Sequence, residues 1–429
     1  MESTFETKQE RAVLVGLNAD CFTKAQTATD ETLEELEALL ETAGGFCTAK
    51  VLQNRHTPDA HSFIGEGKAQ EVRMLVEATE STMVIFDNEL SPGHIRALEE
   101  RLGVTVLDRS ALILDIFAQR AKTREGRLQV ELAQYKYLLP RLSGMGKSLS
   151  RQGGGIGTRG PGETKLESDR RHIRERISRL EHELEQVRQV RGVQRERRMK
   201  NSVPVVAIVG YTNAGKSTLL NQLTDAGIPA NNRLFDTLDT TTRTLEISDT
   251  CTVLLSDTVG FISKLPHHLV EAFKATLEEL SYADLLLHVI DASNPEWREQ
   301  AAVVDQLILD LGAQETPRIE VFNKCDLWTG EIRPHGDDIV SVSARTGEGL
   351  DALLEAIGKR LDSGAKRVTI HLPYDKGGML ERLYKEAKVE QVEYSATIDV
   401  IAVCTPKLIG QLGPMVEGWQ ERQKEPWED

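Results

Sequence analysis

The stretch of this chain that leaves the fewest folding options begins at Pro204. Pro204 to Val209 (PVVAIV) reads as a buried strand, and Gly210-Tyr211-Thr212-Asn213-Ala214-Gly215-Lys216-Ser217 follows at once, then Thr218-Leu219-Leu220-Asn221. A GxxxxGKS run between a strand and a helix is the context that a phosphate-binding loop requires. Its glycines let the backbone wrap a phosphate, its N–H groups and the helix N-terminus point at negative charge, and Lys216 reaches the β and γ oxygens. Ser217 offers a hydroxyl to Mg2+, a hard ion suited to oxygen ligands.

Three shorter motifs follow in order, each behind an apolar run. Val253 to Ser256 leads into Asp257-Thr258-Val259-Gly260, where Asp257 would hold Mg2+ through water and the Gly260 N–H would sense the γ-phosphate. Ile319 to Phe322 leads into Asn323-Lys324-Cys325-Asp326, and the Asp326 carboxylate can accept from guanine N1 and N2, a pair of donors that adenine does not present. Ile339 to Val342 leads into Ser343-Ala344-Arg345, with the Ala344 N–H placed for guanine O6. Leaving a buried carboxylate unpaired is costly, so a site built this way rejects ATP. Each short motif alone is weak. Four in this order read as a GTPase that takes GTP and GDP, with Lys216 and Gly260 as its catalytic groups.

Two positions refine that reading. A threonine between the first two motifs should join Ser217 on Mg2+; Thr237, Thr240, Thr241, Thr242 and Thr244 compete, and spacing does not choose among them. The residue after Gly260 is Phe261, where many GTPases carry a glutamine that orients the attacking water. A phenyl ring cannot polarise water, so hydrolysis is expected to be slow unaided or to depend on a partner.

A chain of 429 residues exceeds one ordinary core, so several domains are expected. In residues 1–108, Ala12 to Gly16, Met83 to Phe86 and Val104 to Leu107 read as strands, and Glu31 to Thr42 and His94 to Leu102 as helices. This predicts a small α/β domain with some parallel pairing and no catalytic constellation. Residues 109–202 read as two long helices, Ser110 to about Leu142 and Glu163 to Lys200, joined by the glycine-rich run Gly144 to Gly162. That pattern predicts an antiparallel α-hairpin with the loop at its tip, far from both domain bodies. Residues 203–364 hold the nucleotide motifs. In residues 365–429, strands at Val368 to Leu372 and Ile398 to Val403 and helices at Leu380 to Lys388 and Pro406 to Val416 suggest a small α+β domain.

Charge is unevenly spread. The chain carries a formal net charge of -15, yet Arg141 to Lys200 has 16 Lys+Arg against 8 Asp+Glu, which leaves -23 for the remainder. A basic segment in an acidic protein is the footprint of a localised anionic partner; a solvated helical face is the plainer alternative. The loop offers Lys147, Arg151, Arg159 and Lys165 as cations and Gly153, Gly154 and Gly155 for close backbone approach. It holds no aromatic residue to stack on bases, so these seven residues are candidate contacts to an RNA backbone, with a disordered connector as the rival reading.

The cysteines, Cys21, Cys47, Cys251, Cys325 and Cys404, form no CxxC pair and no zinc spacing, which fits a reducing compartment. The opening residues, MESTFETKQER, lack the basic-then-apolar order of a signal peptide. Apolar runs such as Leu285 to Ile290 fall far short of the roughly 20 residues that span a bilayer. A cytoplasmic monomer with no membrane span is expected.

Taken together, GYTNAGKST, LFDTLDTTTR, DTVGFISKLP, NKCD and SAR, preceded by GGGIGTRGPGETKLE and an Arg-rich helix, resemble the HflX family of translational GTPases from the N-terminal domain to at least residue 365. The resemblance implies a Ras-like P-loop G domain preceded by a small α/β domain with a long α-hairpin, within an overall α/β fold. It implies association with the large ribosomal subunit and its rRNA, and in some members dissociation of stalled or stressed ribosomes. The family's FxTLD pattern falls on Phe235, Asp236, Thr237, Leu238 and Asp239, which adds these five to the nucleotide site and makes Thr237 the second Mg2+ ligand. Asn213 matches the asparagine with which related GTPases hold K+, so K+ is a candidate cofactor beside Mg2+, against a plain structural role for that residue. A nucleotide-gated switch with little turnover, acting in ribosome assembly or on a protein partner, is the alternative.

Overall fold

The computed structural model describes residues 9–23, 26–142, 165–200, 203–224, 227, 234–235, 241–248, 251–265, 269, 280–328, 330, 333–361, 366–404 and 406–418. Strands β1 (Arg11–Ala19), β2 (Phe46–Arg55), β3 (Met83–Phe86) and β4 (Thr105–Asp108) build a sheet in the order β2-β1-β3-β4. All of its pairings are parallel. Four helices alternate with them: α1 (Asp30–Ala43), α2 (Glu66–Thr79), α3 (Pro92–Leu102) and α4 (Arg109–Arg120). Successive residues of a strand face opposite sides. Ala12 and Leu14 therefore join Leu33 and Leu36 of α1 and Ile113 and Phe117 of α4, while Val13 and Val15 join Val72 of α2 and Leu98 of α3. Helix α1 starts where the hydroxyls and backbone N–H groups of Thr29 and Thr32 bond reciprocally, and it stops at Gly44, whose φ of +91° suits a glycine. β2 and α2 have no counterpart in the sequence reading. β2 is an edge strand with Val51 as its one fully buried residue, so it shows no apolar alternation.

Two antiparallel helices follow, α5 (Arg124–Leu142) and α6 (Lys165–Lys200). Their seam is Leu128 and Leu132 against Leu180 and Leu184. Arg176 holds Glu131 with two bonds of 2.8 and 2.9 Å, while Arg124 lies 3.6 Å from Glu183, which fixes the opposite running directions. Helix α4, read from sequence as continuous with α5, instead packs into the N-terminal core. One expectation is corrected by the far end of α5. Tyr137 donates to Asp108 at 2.8 Å, and Arg141 reaches Asp108 at 2.9 Å and the Leu90 carbonyl at 3.2 Å. The point where the chain leaves for the loop is thus fastened to the N-terminal sheet instead of standing clear of it, because Asp108 ends a strand as a buried acceptor.

A six-stranded sheet comes next, with β5 (Val205–Gly210), β6 (Thr241–Ser248), β7 (Cys251–Asp257), β8 (Leu285–Asp291), β9 (Arg318–Asn323) and β10 (Ile339–Ser341) in the order β10-β9-β8-β5-β7-β6. Only the β6–β7 pairing is antiparallel. β5 and β8 are almost wholly buried, as expected for strands covered on both faces. Helices α7 (Lys216–Thr224), α8 (Trp297–Asp310) and α9 (Leu350–Leu361) are described with it. The C-terminal unit is an antiparallel sheet, β11 (Lys366–Leu372), β13 (Ile398–Cys404) and β12 (Lys388–Tyr394), with α10 (Gly378–Glu386) and α11 (Pro406–Leu412). Lys388, read as the end of a helix, opens strand β12. Among the described residues no helix is long and apolar enough to cross a membrane.

Candidate nucleotide site

Strands β5, β7 and β9 each deliver one motif at the same edge of the second sheet, and β10 leads into the fourth. Ligands of open α/β sheets bind at such carboxyl ends. Lys216, the first residue of α7, is buried, and its ammonium donates to the carbonyls of Gly210 (3.1 Å) and Tyr211 (2.8 Å). Burial pushes its pKa down to about 8, against the opposing pull of Asp257. Ser217 donates to the Asp257 carboxylate at 2.8 Å. That hydroxyl and carboxylate are hard donors at the mouth of the loop and fit Mg2+. Among the described residues no group of three or more His, Cys, Asp or Glu side chains could hold a metal. Thr218 lies in the first turn of α7, and Asn213 takes a left-handed φ of +61°.

The third motif is tied to the first and fourth by one side chain. Asn323 donates to the Ala214 carbonyl at 2.8 Å and accepts from the Ala344 N–H at 2.9 Å. It approaches so closely that a Cβ on Gly215, whose φ is +95°, would sit 2.2 Å from its Nδ2. Lys324 pairs with Asp291 at 2.7 Å. Cys325 is buried, its N–H bonded to the Val342 carbonyl at 3.0 Å. Asp326 meets Arg345 at 2.6 Å. A hydrogen bond from Ser343, helped by Arg345, holds the Asp326 carboxyl below its ordinary pKa, so it stays an acceptor.

The second motif presses onto the first. Thr258 donates to the Ile208 carbonyl at 2.7 Å, and Val259 is buried. A Cβ on Gly260 would lie 2.9 Å from the Thr212 Cα and 3.0 Å from the Lys216 Nζ, so this close approach needs a glycine. Phe261 is buried; its N–H donates to the Gly210 carbonyl (3.2 Å) and its carbonyl accepts from Thr212 N–H (2.6 Å). Phe235 is buried beside them, its N–H donating to the Thr212 hydroxyl at 3.0 Å. Asp236, Thr237, Leu238 and Asp239 lie outside the described residues, as do Lys147, Arg151, Gly153, Gly154, Gly155 and Arg159. Lys165 opens α6.

Residues 205–324 match a family described as 50S ribosome-binding GTPase, 30–118 one described as GTP-binding GTPase N-terminal, 120–198 its middle region, and 332–400 the HflX C-terminal domain. The chain is 51% identical to the GTPase HflX of Caldanaerobacter subterraneus subsp. tengcongensis over 387 residues, covering 90% of this chain and 89% of that one. The chain belongs to the HflX family of GTPases. The Escherichia coli GTPase HflX is 44% identical, covering 89% of this chain and 90% of its own. A solved GTP-binding protein of Sulfolobus solfataricus in complex with GDP is 26% identical over 82% of this chain and 98% of that one, with a TM-score of 0.44.

Sequence reasoning missed what the N-terminal domain of this HflX GTPase brings to the loop. Glu35 of α1 accepts from the Tyr211 hydroxyl and, at 2.7 Å, from the Ser263 hydroxyl. Arg109, at the start of α4, is buried between Glu35 and Asp87, and donates to the Ser263 carbonyl at 3.3 Å. Lys264 pairs with Asp87 in turn, and its burial lowers its pKa. The one available signal was Asp87, directly behind the apolar run MVIF, at the strand end where polar groups serve a site.

The lowered Lys216 pKa predicts a pH effect of definite sign. Bound phosphates keep this lysine protonated, whereas the nucleotide-free protein releases its proton above about pH 8. GDP affinity should therefore fall about tenfold from pH 7 to pH 9, read by fluorescent-GDP titration. Without nucleotide the sign reverses: between about pH 8 and the ordinary lysine value of 10.5 the unfolded chain binds the extra proton, so this group makes folding more favourable as pH rises. A flat affinity profile would mean that Lys216 keeps its proton up to pH 9 in the nucleotide-free protein, and a Lys216→Met variant with unchanged GDP affinity would mean the ammonium is not needed for phosphate.

Proposed function

We propose that this HflX GTPase docks on the large ribosomal subunit through its basic hairpin loop, and that the ribosome stimulates its Mg2+-dependent GTP hydrolysis. The use of that cycle is to split or rescue ribosomes under stress. The observation that carries the reading is Phe261. Buried, and bonded on both sides to the phosphate loop, it leaves the position of the water-orienting glutamine without a polar group, so the accelerating element is expected from outside. Ser217 and Thr237 are the side chains assigned to Mg2+, with Asn213 the residue for K+.

GTPase rates measured with separate 30S, 50S and 70S particles, in Na+ and in K+, test this. A rise with 50S or 70S supports it; no acceleration by any particle favours the alternative of a nucleotide-gated switch with little turnover. Equal turnover in both salts removes K+. For the loop, joint replacement of Arg151, Arg159 and Lys165 by serine should weaken 50S co-sedimentation. It should also lower the slope of log affinity against log salt by about 2, since each phosphate contact contributes roughly 0.7 to 0.9. Co-sedimentation and slope unchanged would place the contact elsewhere.

A further inference from the structure

Phe235 stands two residues before Thr237, and its backbone is left-handed, with φ +56°. A bulky side chain keeps that conformation only where its surroundings over-determine it. Three contacts do so. The Phe235 N–H donates to the Thr212 hydroxyl of the phosphate loop at 3.0 Å. The N–H of Leu234 donates to the Thr42 hydroxyl of α1 at 3.3 Å. The Phe235 ring meets Phe117 of α4 edge to face, with centroids 4.8 Å apart and planes at 87°. Two of the three anchors belong to the N-terminal domain, far from the nucleotide motifs in sequence. Phe117 and Phe235 share one buried cluster with Tyr211, Phe261 and Ile262, so the seat is continuous with both the phosphate loop and the segment after Gly260.

We propose that Phe117 and Thr42 are positioning residues of the GTP site: by seating Leu234 and Phe235 against the phosphate loop they fix the point from which the chain runs on to Thr237. The inference rests on Thr237 as the Mg2+ ligand. Thr237 follows Phe235 by two residues, a chain length of at most about 7 Å. GDP needs no such ligand on a γ-phosphate, which separates positioning from simple loss of structure.

The test uses the full chain carrying Phe117→Ala, with fluorescent GDP and a non-hydrolysable GTP analogue titrated in Mg2+ and in EDTA. GDP affinity should stay within about twofold, and analogue affinity in Mg2+ should fall about fivefold to tenfold, the scale of one edge-to-face aromatic pair. In EDTA the difference should vanish. Amide hydrogen exchange at Leu234 and Phe235 should speed up. Phe117→Leu should restore most of the loss, and Thr42→Ala, a milder change, should show the same pattern at smaller size. Equal losses for GDP and the analogue, or tighter analogue binding, would overturn the assignment. Thr237→Ala separates the layers. If it leaves analogue binding unchanged, the ligand reading and the positioning fall together; if it weakens binding while Phe117→Ala does not, the positioning alone falls.

Discussion

Asp326→Asn is expected to turn this guanine site toward xanthine: GDP affinity drops by about a hundredfold or more, and XDP, whose C2 carbonyl would face the parent carboxylate, becomes the better ligand. The Asp326 carboxylate is an acceptor on both oxygens, held ionised by Ser343 and Arg345. Guanine offers two donors to it, at N1 and N2. An asparagine presents one acceptor and one donor, so the N2 amino group meets an N–H and repulsion replaces a bond. Xanthine carries a carbonyl where guanine has that amino group, and the asparagine donor finds a partner again. The fold should tolerate the change, since the two side chains are nearly isosteric and the lost ion pair is to an exposed arginine. Competition of GDP and XDP against a fluorescent guanine nucleotide reads the result. An unchanged preference for GDP would remove Asp326 from base recognition.

Arg109→Met is the most damaging single change expected for stability. The guanidinium is buried with Glu35 and Asp87, and it donates to Ser263 as well. Its removal strands two carboxylates with Lys264 as their remaining cation, and breaking a buried pair from one side costs about 3–5 kcal/mol. Replacing one acid together with it, as Arg109→Met with Glu35→Gln, should recover most of that loss, because Asp87 keeps Lys264 as its partner and no uncompensated charge is left behind. Urea unfolding of the single and double variants measures the difference. A single variant within about 1 kcal/mol of the parent would show that Lys264 and the hydroxyls of Ser263 and Thr32 suffice to hold the two carboxylates.

How much of this was legible in the sequence depends on whether a feature is contiguous. The loop from Gly210 to Ser217 and the motifs ending in Gly260, Asp326 and Arg345 are each a few adjacent residues behind an apolar strand, and folding only has to align the strand ends. Strands β2, β6 and β12 escaped because each is an edge strand with at most one buried residue among those described, too few to show alternation, whereas the edge strands β4 and β11 bury two each. The cluster of Glu35, Asp87, Arg109, Tyr211, Ser263 and Lys264 escaped for another reason. Its bonds join residues up to 228 positions apart, and nothing local in Glu35 or Ser263 marks them as neighbours. The loop's anchorage fell in the same class. Charge told which segment is basic, while Asp108, which fastens Arg141 and Tyr137, reads in isolation as an ordinary end of a strand.

The placement of Ser263 and Lys264 has a consequence for the N-terminal domain itself. In the order β2-β1-β3-β4 the crevice between the carboxyl ends of β1 and β3 is where an open parallel sheet admits a small molecule. Here Asp87 lies just past β3, Glu35 rises from the helix that follows β1, and the groups they hold come from the neighbouring domain of the same chain. The domain is in effect already liganded by a tethered guest, whose covalent link keeps its local concentration high. Any soluble molecule bound at that crevice would do so in competition with the segment that follows the DxxG motif, and occupancy there would be felt at the nucleotide without a second pathway between the domains.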